Sequence, residues 1–387
     1  MSMLNDIKVL DLSTLLPGPY ASMMLADLGA EVLRLESPDR VDLVREMEPQ
    51  VGSSSAAHQT LNRSKRAIAL DLKQPEAVEI VHRLVKEYDI VLEQFRPGVM
   101  DRLGLGYENL KKINPRIIYC SITGFGQTGP FKHRAGHDLN YLALSGLSSY
   151  SRRAKQPPVP LGMQVADVAG GSLHSVIGIL AALHHRDKTG EGQMIDISMT
   201  DAVFAMNAMS GAGALADKTA PEAEAHLLNG GSFYDYYETR DGRYFSVGSL
   251  EPKFFQGLCD LLGKPELKAL EKDPELKEHL TSIFKSKTFS QWQEIFSEAD
   301  LCVEPVLNFL EACEHPQRQA RDMLVDVPMA DGQVQQQIGN PIKFSKFNTH
   351  YSRTGGSVGA DGKDVLEELG LDEKTIDKLI KKNIVRI

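Results

Sequence analysis

The chain is short of cysteine, of long apolar runs and of basic charge, and each shortage removes a class of function. Its 387 residues hold four cysteines, Cys120, Cys259, Cys302 and Cys313. No two stand at C-x-x-C spacing, so they read as reduced core thiols rather than a disulfide framework or a redox pair. A reducing, cytoplasmic setting follows as the expectation. No stretch approaches eighteen uninterrupted apolar residues, and MSMLNDIKVL lacks a basic region leading into an apolar one, so neither a membrane span nor a standard secretion signal is expected. NIVRI is not the common peroxisomal tripeptide. Forty-three Lys and Arg face fifty-two Asp and Glu, a formal charge of −9. That balance disfavours a general nucleic-acid surface but permits local anion pockets.

What is present is a globular composition, 42% hydrophobic and 25% charged, long enough for two or three structural units. IKVLD at 7–11 reads as a strand, YASMMLADLG as an amphipathic helix closed by Gly29, and EVLRLE as a second strand. The rhythm repeats through IALDL, PEAVEIVHRLVKEY, IVLEQF and IIYCSI. An apolar helix from about Gly171 to His185 and the strand QMIDISM follow. Alternating strands and helices predict an α/β fold with a large Rossmann-like parallel sheet. The predicted division is a large domain over 1–200, a linker at 201–228, a smaller α/β domain at 229–318 and a return linker at 319–340. Residues 341–387 then pack back on the large domain. Within the smaller domain, SFYDYYETRDGRYFSVGS reads as two strands joined at an Arg-Asp-Gly turn. The tail reads as two short amphipathic helices.

Several stretches carry candidate chemistry, each with a plainer alternative. GFGQTG at 124–129 fits a dinucleotide loop, but Pro130 follows at once and no acid stands about twenty residues on, so a glycine-rich turn near a ligand is the better account. HRAGH at 133–137 spaces two histidines as a zinc helix would, yet Gly136 intervenes and no third ligand is evident, so no metal site is assigned. In AGHDLNYLALSG, His137 and Asp138 are either acid–base machinery or the polar start of a helix. Asp167 in VADVAGGS reads alone as a helix N-cap, and Glu251 in GSLEPKFF as an acid suited to a helix dipole. Taken together, a histidine and carboxylates at the ends of parallel elements are what a two-base proton transfer requires. Arg96 and Arg102 in FRPGVMDRLGLG flank a turn after a strand and could hold a polyphosphate, or simply be solvated.

LPGPYASMMLADLGAEVLRLESP, FRPGVMDRLGLG, NPRIIYCSITGFGQTGP and AGHDLNYLALSG resemble the class III CoA-transferase family, and the resemblance spans nearly the whole chain. GGSFYDYYETRDGRYFSVGSLEPKFF and CVEPVLNFLEA look most like its alpha-methylacyl-CoA racemase branch. Leu142 agrees, because the transferase branch typically has a glutamine there and an aromatic residue at the histidine position. The resemblance implies an interlocked homodimer that interconverts (R)- and (S)-2-methylacyl-CoA thioesters by proton transfer through an enolate. It needs no cofactor or metal, coenzyme A being part of the substrate. His137 and Asp167 would serve opposite faces of the substrate, with Glu251 sharing a hydrogen bond with Asp167. Asp138 and Tyr141 would line the thioester pocket, Arg96 and Arg102 would hold the CoA phosphates, and Leu70 would join the substrate-binding residues. Ser37 stands where this branch can carry an arginine, so that contact is weaker here or falls to Arg40. The alternative implied activity is CoA transfer, with Asp167 forming an acyl anhydride. No nucleic-acid or membrane partner is expected.

Overall fold

The computed structural model describes residues 2–52 and 54–387. The chain forms two compact units, the first from Met1–Ser145, Leu161–Ala205 and Gln317–Ile387, the second from Gly146–Pro160 and Met206–Pro316.

The first unit is built on a seven-stranded sheet. Its strands lie in the order Val385–Arg386, Lys65–Leu70, Glu31–Glu36, Lys8–Asp11, Ile90–Glu93, Ile118–Thr123 and Met194–Ser198. All neighbours are parallel except the edge strand Val385–Arg386, which runs antiparallel to Lys65–Leu70. The strands read as continuous apolar runs because helices cover the sheet, and Leu10, Leu33, Ile68, Val91 and Tyr119 are buried with Val81, Leu84 and Leu366 from those helices. Strand order reverses at Lys8–Asp11. In open parallel sheets, ligands bind outside the carboxyl ends at such a reversal. There the backbone N–H of Gly18, in the first turn of the helix Pro17–Asp27, donates to the Gln94 side chain at 2.9 Å, tying that helix start to the loop after Ile90–Glu93.

The expected apolar helix begins earlier than sequence periodicity indicates. Ala166–Leu173 form a π-helical stretch that continues as the α-helix His174–Thr189. Gly170 and Gly171 allow the wide turn to press on its neighbours: a Cβ on Gly171 would stand 3.0 Å from the Pro17 Cβ and 3.2 Å from Met199. Ala166–Thr189 is also long and apolar enough to cross a bilayer, but half of its most apolar window is buried within the protein. It packs on Ile118–Thr123 and Met194–Ser198, as a core helix does.

The second unit has a three-stranded antiparallel sheet, Val303–Pro305, Tyr244–Val247 and Asp235–Glu238. Its hairpin turns at Arg240-Asp241-Gly242, where Gly242 adopts φ +78°, as such a turn requires. Phe245, Phe255, Phe284, Trp292 and Phe296 form its core, and the buried indole N–H donates to the Phe284 carbonyl at 2.8 Å.

Four expectations need correction. Residues 201–228 are not a plain linker: Met199–Ala205 and Ala208–Asp217 are helical, because Ala-rich sequence favours helix even where its apolar periodicity is weak. Residues 319–340 contain the hairpin Leu324–Pro328 with Val334–Ile338, and residues 146–160 belong with the second unit. Cys120 and Cys259 are buried, but Cys302 is exposed and Cys313 half-buried, so only two of the four are core thiols.

Candidate active site

His137 has an extended backbone and immediately precedes the helix Asp138–Leu144, with its N–H donating to the Asn140 side chain at 3.0 Å. Its ring is exposed. One turn along, Tyr141 is buried and its hydroxyl donates to the Gly136 carbonyl at 2.5 Å, which fixes the backbone just before His137. The ring fits only because two neighbours are glycines: a Cβ on Gly124 would come within 2.5 Å of it and one on Gly136 within 2.6 Å. Phe125 meets the same ring edge-on, 5.4 Å between centroids.

Asp138 does not cap its own helix. Its Oδ1 accepts the backbone N–H groups of Ala166 at 2.6 Å and of Asp167 at 3.1 Å. Asp167 is therefore not an N-cap but the second residue of the helical stretch, and an acid 29 residues upstream of it supplies the cap. Burial pushes the Asp167 carboxyl up to about 6; the Asp138 charge adds to this and His137 opposes it. Burial also raises the Tyr141 phenol to about 12, with Asp167 adding and Arg96 opposing. His137, Asp138, Tyr141, Asp167 and Arg96 thus form one electrostatically connected cluster within the first unit.

Arg96 and Arg102 are exposed, and among the described residues neither makes an ion pair, which leaves both guanidinium groups available to an anion. Arg96 lines a pocket of about 190 Å³ with Glu93, Tyr107, Tyr119 and Gln127; Arg102 is outside it. Sequence reasoning missed Glu93. Burial raises its carboxyl to about 7, and it accepts the Phe95 N–H at 2.7 Å, shaping the turn that presents Arg96. The available signal was an acid closing the otherwise apolar strand IVLE.

Other expected residues fall elsewhere. Leu70 is 1% exposed and part of the apolar cluster, so its side chain is core rather than pocket lining. Glu251 is exposed in the second unit, as the residue preceding the helix Pro252–Leu261. A larger cavity of about 620 Å³ lies within that unit, lined by Tyr150, Val159, Leu228, Tyr234, Tyr236 and Cys302 among others. Ser37 is exposed and its hydroxyl accepts the Arg40 N–H at 3.1 Å. His133 and His137 lie outside any helix, so they share no helical face. GFGQTG follows a strand but leads into a turn, with Gly126 and Gly129 at φ +79° and +81°.

A histidine and a raised carboxyl in one cluster with Arg96, which makes no ion pair among the described residues, suit acid–base or acyl chemistry on an anionic substrate. The sequence profile described as CoA-transferase family III matches residues 4–362. The chain belongs to CoA-transferase family III. Within this family the chain is 37% identical to human alpha-methylacyl-CoA racemase, over 99% of both chains. It is also 32% identical to human succinyl-CoA:glutarate CoA-transferase, over 99% of this chain and 90% of that one. The fold matches a CAIB/BAIF family protein from Brucella suis with TM-score 0.84 at 31% identity, covering 95% of this chain and all of that one. The protein is an enzyme of this family. Relatives of both reaction types retain substantial identity to it, so the reaction must be argued from the site.

Proposed function

We propose that the enzyme interconverts (R)- and (S)-2-methylacyl-CoA thioesters by a two-base 1,1-proton transfer. His137 removes the α-proton from one face, leaving an enolate; Asp167, entering protonated, returns a proton to the other face. The carbon ends with the same groups and inverted configuration, and the pair has exchanged which member holds the single proton. The reverse direction starts from protonated His137 and ionised Asp167. The observation that carries this reading is the raised Asp167 carboxyl beside His137, since a carboxyl titrating near 6 can act as acid or base close to neutral pH. Because one proton is shared, the two limbs of the pH–rate profile belong to the pair rather than to either residue.

Arg96 and Arg102 would engage the CoA phosphates as charge-assisted donors. The reaction needs no metal or cofactor. In the same reading two chains interlock, so that Glu251 of the partner subunit completes the site beside Asp167. Exposed apolar side chains support a covered surface: Ile177 is 63%, Met209 67% and Leu215 72% exposed.

The test is proton NMR of a single-enantiomer 2-methylacyl-CoA with the enzyme in deuterated water, followed by chiral analysis of the acid. Loss of the α-proton signal together with optical purity is expected, and His137→Ala abolishes both. If CoA instead moves to an added free acid without α-exchange, Asp167 is the nucleophile of a transferase and the racemase reading falls.

A further inference from the structure

We propose that Asp138 is a positioning residue that yokes the two proton stations, its backbone continuing from His137 while its carboxylate holds the start of the segment bearing Asp167. This rests on the two-base reading above, but its central claim concerns geometry and charge that can be measured without turnover.

The first ground is the pattern of hydrogen bonds. A helix leaves its first N–H groups without internal partners. Before Ala166 stands Val165, whose side chain can accept nothing. The Asp138 Oδ1 takes both N–H groups, at 2.6 Å from Ala166 and 3.1 Å from Asp167. Asp138 is covalently next to His137, so one carboxylate links the backbone of the first proton station to that of the second. Separating the stations means breaking a charge-assisted pair of bonds.

The second ground is charge. The ionisable groups acting on Asp167 are Asp138, which disfavours its ionisation, and His137, which favours it; burial is the larger effect. The helices Pro17–Asp27 and Met199–Ala205 pack on the same π-helical stretch and bring Pro17, Met199 and Val203 against its glycines, none of them charged. An amide at 138 keeps an acceptor for the two N–H groups but removes the charge, whereas alanine removes both. The two substitutions therefore separate charge from geometry.

The experiment uses the full-length protein with Asp138→Asn and Asp138→Ala, measuring kcat and KM for α-proton exchange against pH. In parallel, the Asp167 side-chain carboxyl is titrated by carbon-13 NMR, assigned with Asp167→Asn. For Asp138→Asn, Asp167 should titrate below 6 without reaching the ordinary aspartate range, because burial remains. The acidic limb of kcat/KM should move down with it while KM stays nearly constant. For Asp138→Ala, kcat should also fall about a hundredfold, the scale of a ~1 Å misplacement. An unmoved Asp167 titration in Asp138→Asn, or a wild-type kcat in folded Asp138→Ala, overturns the proposal. If the wild type exchanges no α-proton, the racemase reading fails, and the Asp167 titration decides instead: a shift in Asp138→Asn supports the charge effect, and a further change in Asp138→Ala supports the hold on the backbone, while equal titrations in the wild type and both variants overturn the proposal.

Discussion

Gly136→Ala should disable the enzyme through a single methyl group that touches no substrate. The added Cβ would stand 2.6 Å from one Tyr141 ring carbon, with the next ring carbon at 3.2 Å and the hydroxyl at 3.3 Å. Carbon atoms rest at about 3.5–4.0 Å, so the ring must retreat by roughly 1 Å or the backbone must move instead. The ring has little slack, because the same Cε1 edge also meets Gly124, where a Cβ would stand at 2.5 Å, and Phe125 packs edge-on against the ring. Gly136 does not need a left-handed backbone, so the effect is the clash alone. Retreat of the ring pulls on the 2.5 Å bond from its hydroxyl to the Gly136 carbonyl, and His137 follows in the chain. Overpacking of this kind costs about 1–3 kcal/mol of stability. A displacement near 1 Å at the base lowers kcat about a hundredfold. α-Proton exchange and thermal unfolding measure the two effects. A folded Gly136→Ala enzyme at wild-type rate would refute the wedge argument.

Asp27→Ala should destabilise the first unit by about 3–5 kcal/mol, because it strands a buried charge. Arg63 donates to Asp27 at 2.9 and 2.6 Å with both side chains 1% exposed, and urea unfolding would contradict this if the loss were negligible. Asp167→Asn should stabilise the protein above pH 6 by an amount of order 2 kcal/mol. The sign follows from a folded value near 6 against 3.8 for the unfolded chain: native Asp167 holds its proton longer, so wild-type stability falls as pH rises between those values, and the variant's advantage should vanish below them. Under the proposed interlocking of two chains, Leu215→Glu should sediment as a 42.7 kDa species where the wild type runs at twice that mass, whereas an unchanged sedimenting mass would remove Leu215 from the proposed interface.

Much of the first unit was legible because its signals are local. Buried parallel strands are unbroken apolar runs, and IKVLD, EVLRLE and IIYCSI stand out as such. The Arg240-Asp241-Gly242 hairpin was legible for the same reason, a turn residue between two β-rich runs. The start of the long helix was not, because its cap comes from Asp138, far away in sequence, and no local capping residue announces it. The hairpin Leu324–Pro328 with Val334–Ile338 alternates too weakly to read. At the site, His137, Asp138 and Asp167 were singled out by residue type and context and Tyr141 by family resemblance, but what each side chain contacts was not legible. Tyr141 braces the Gly136 carbonyl, a contact that only the fold reveals, while Leu70 is core. Glu93 escaped notice because an acid at a strand end resembles any polar terminus until its burial is known.

The edge of the main sheet carries a consequence for how the chain acquires its fold. Lys65–Leu70 would present open N–H and C=O groups were it not covered by distant sequence: Arg353 donates to the Lys65 carbonyl, Asp361 accepts from the Ala67 N–H at 2.8 Å, and Val385–Arg386 pair with Leu70 and Ala69. On a ribosome these residues emerge only after the entire second unit. Until then the nascent chain exposes a strand made of KRAIAL, a template for pairing with other chains. The second unit, whose core forms largely within residues 233–307, can fold while the first waits. Synthesis of this enzyme therefore includes an interval in which its largest sheet is unguarded, and variants that weaken the return segment should show their defect as aggregation during expression before any loss of activity per folded molecule.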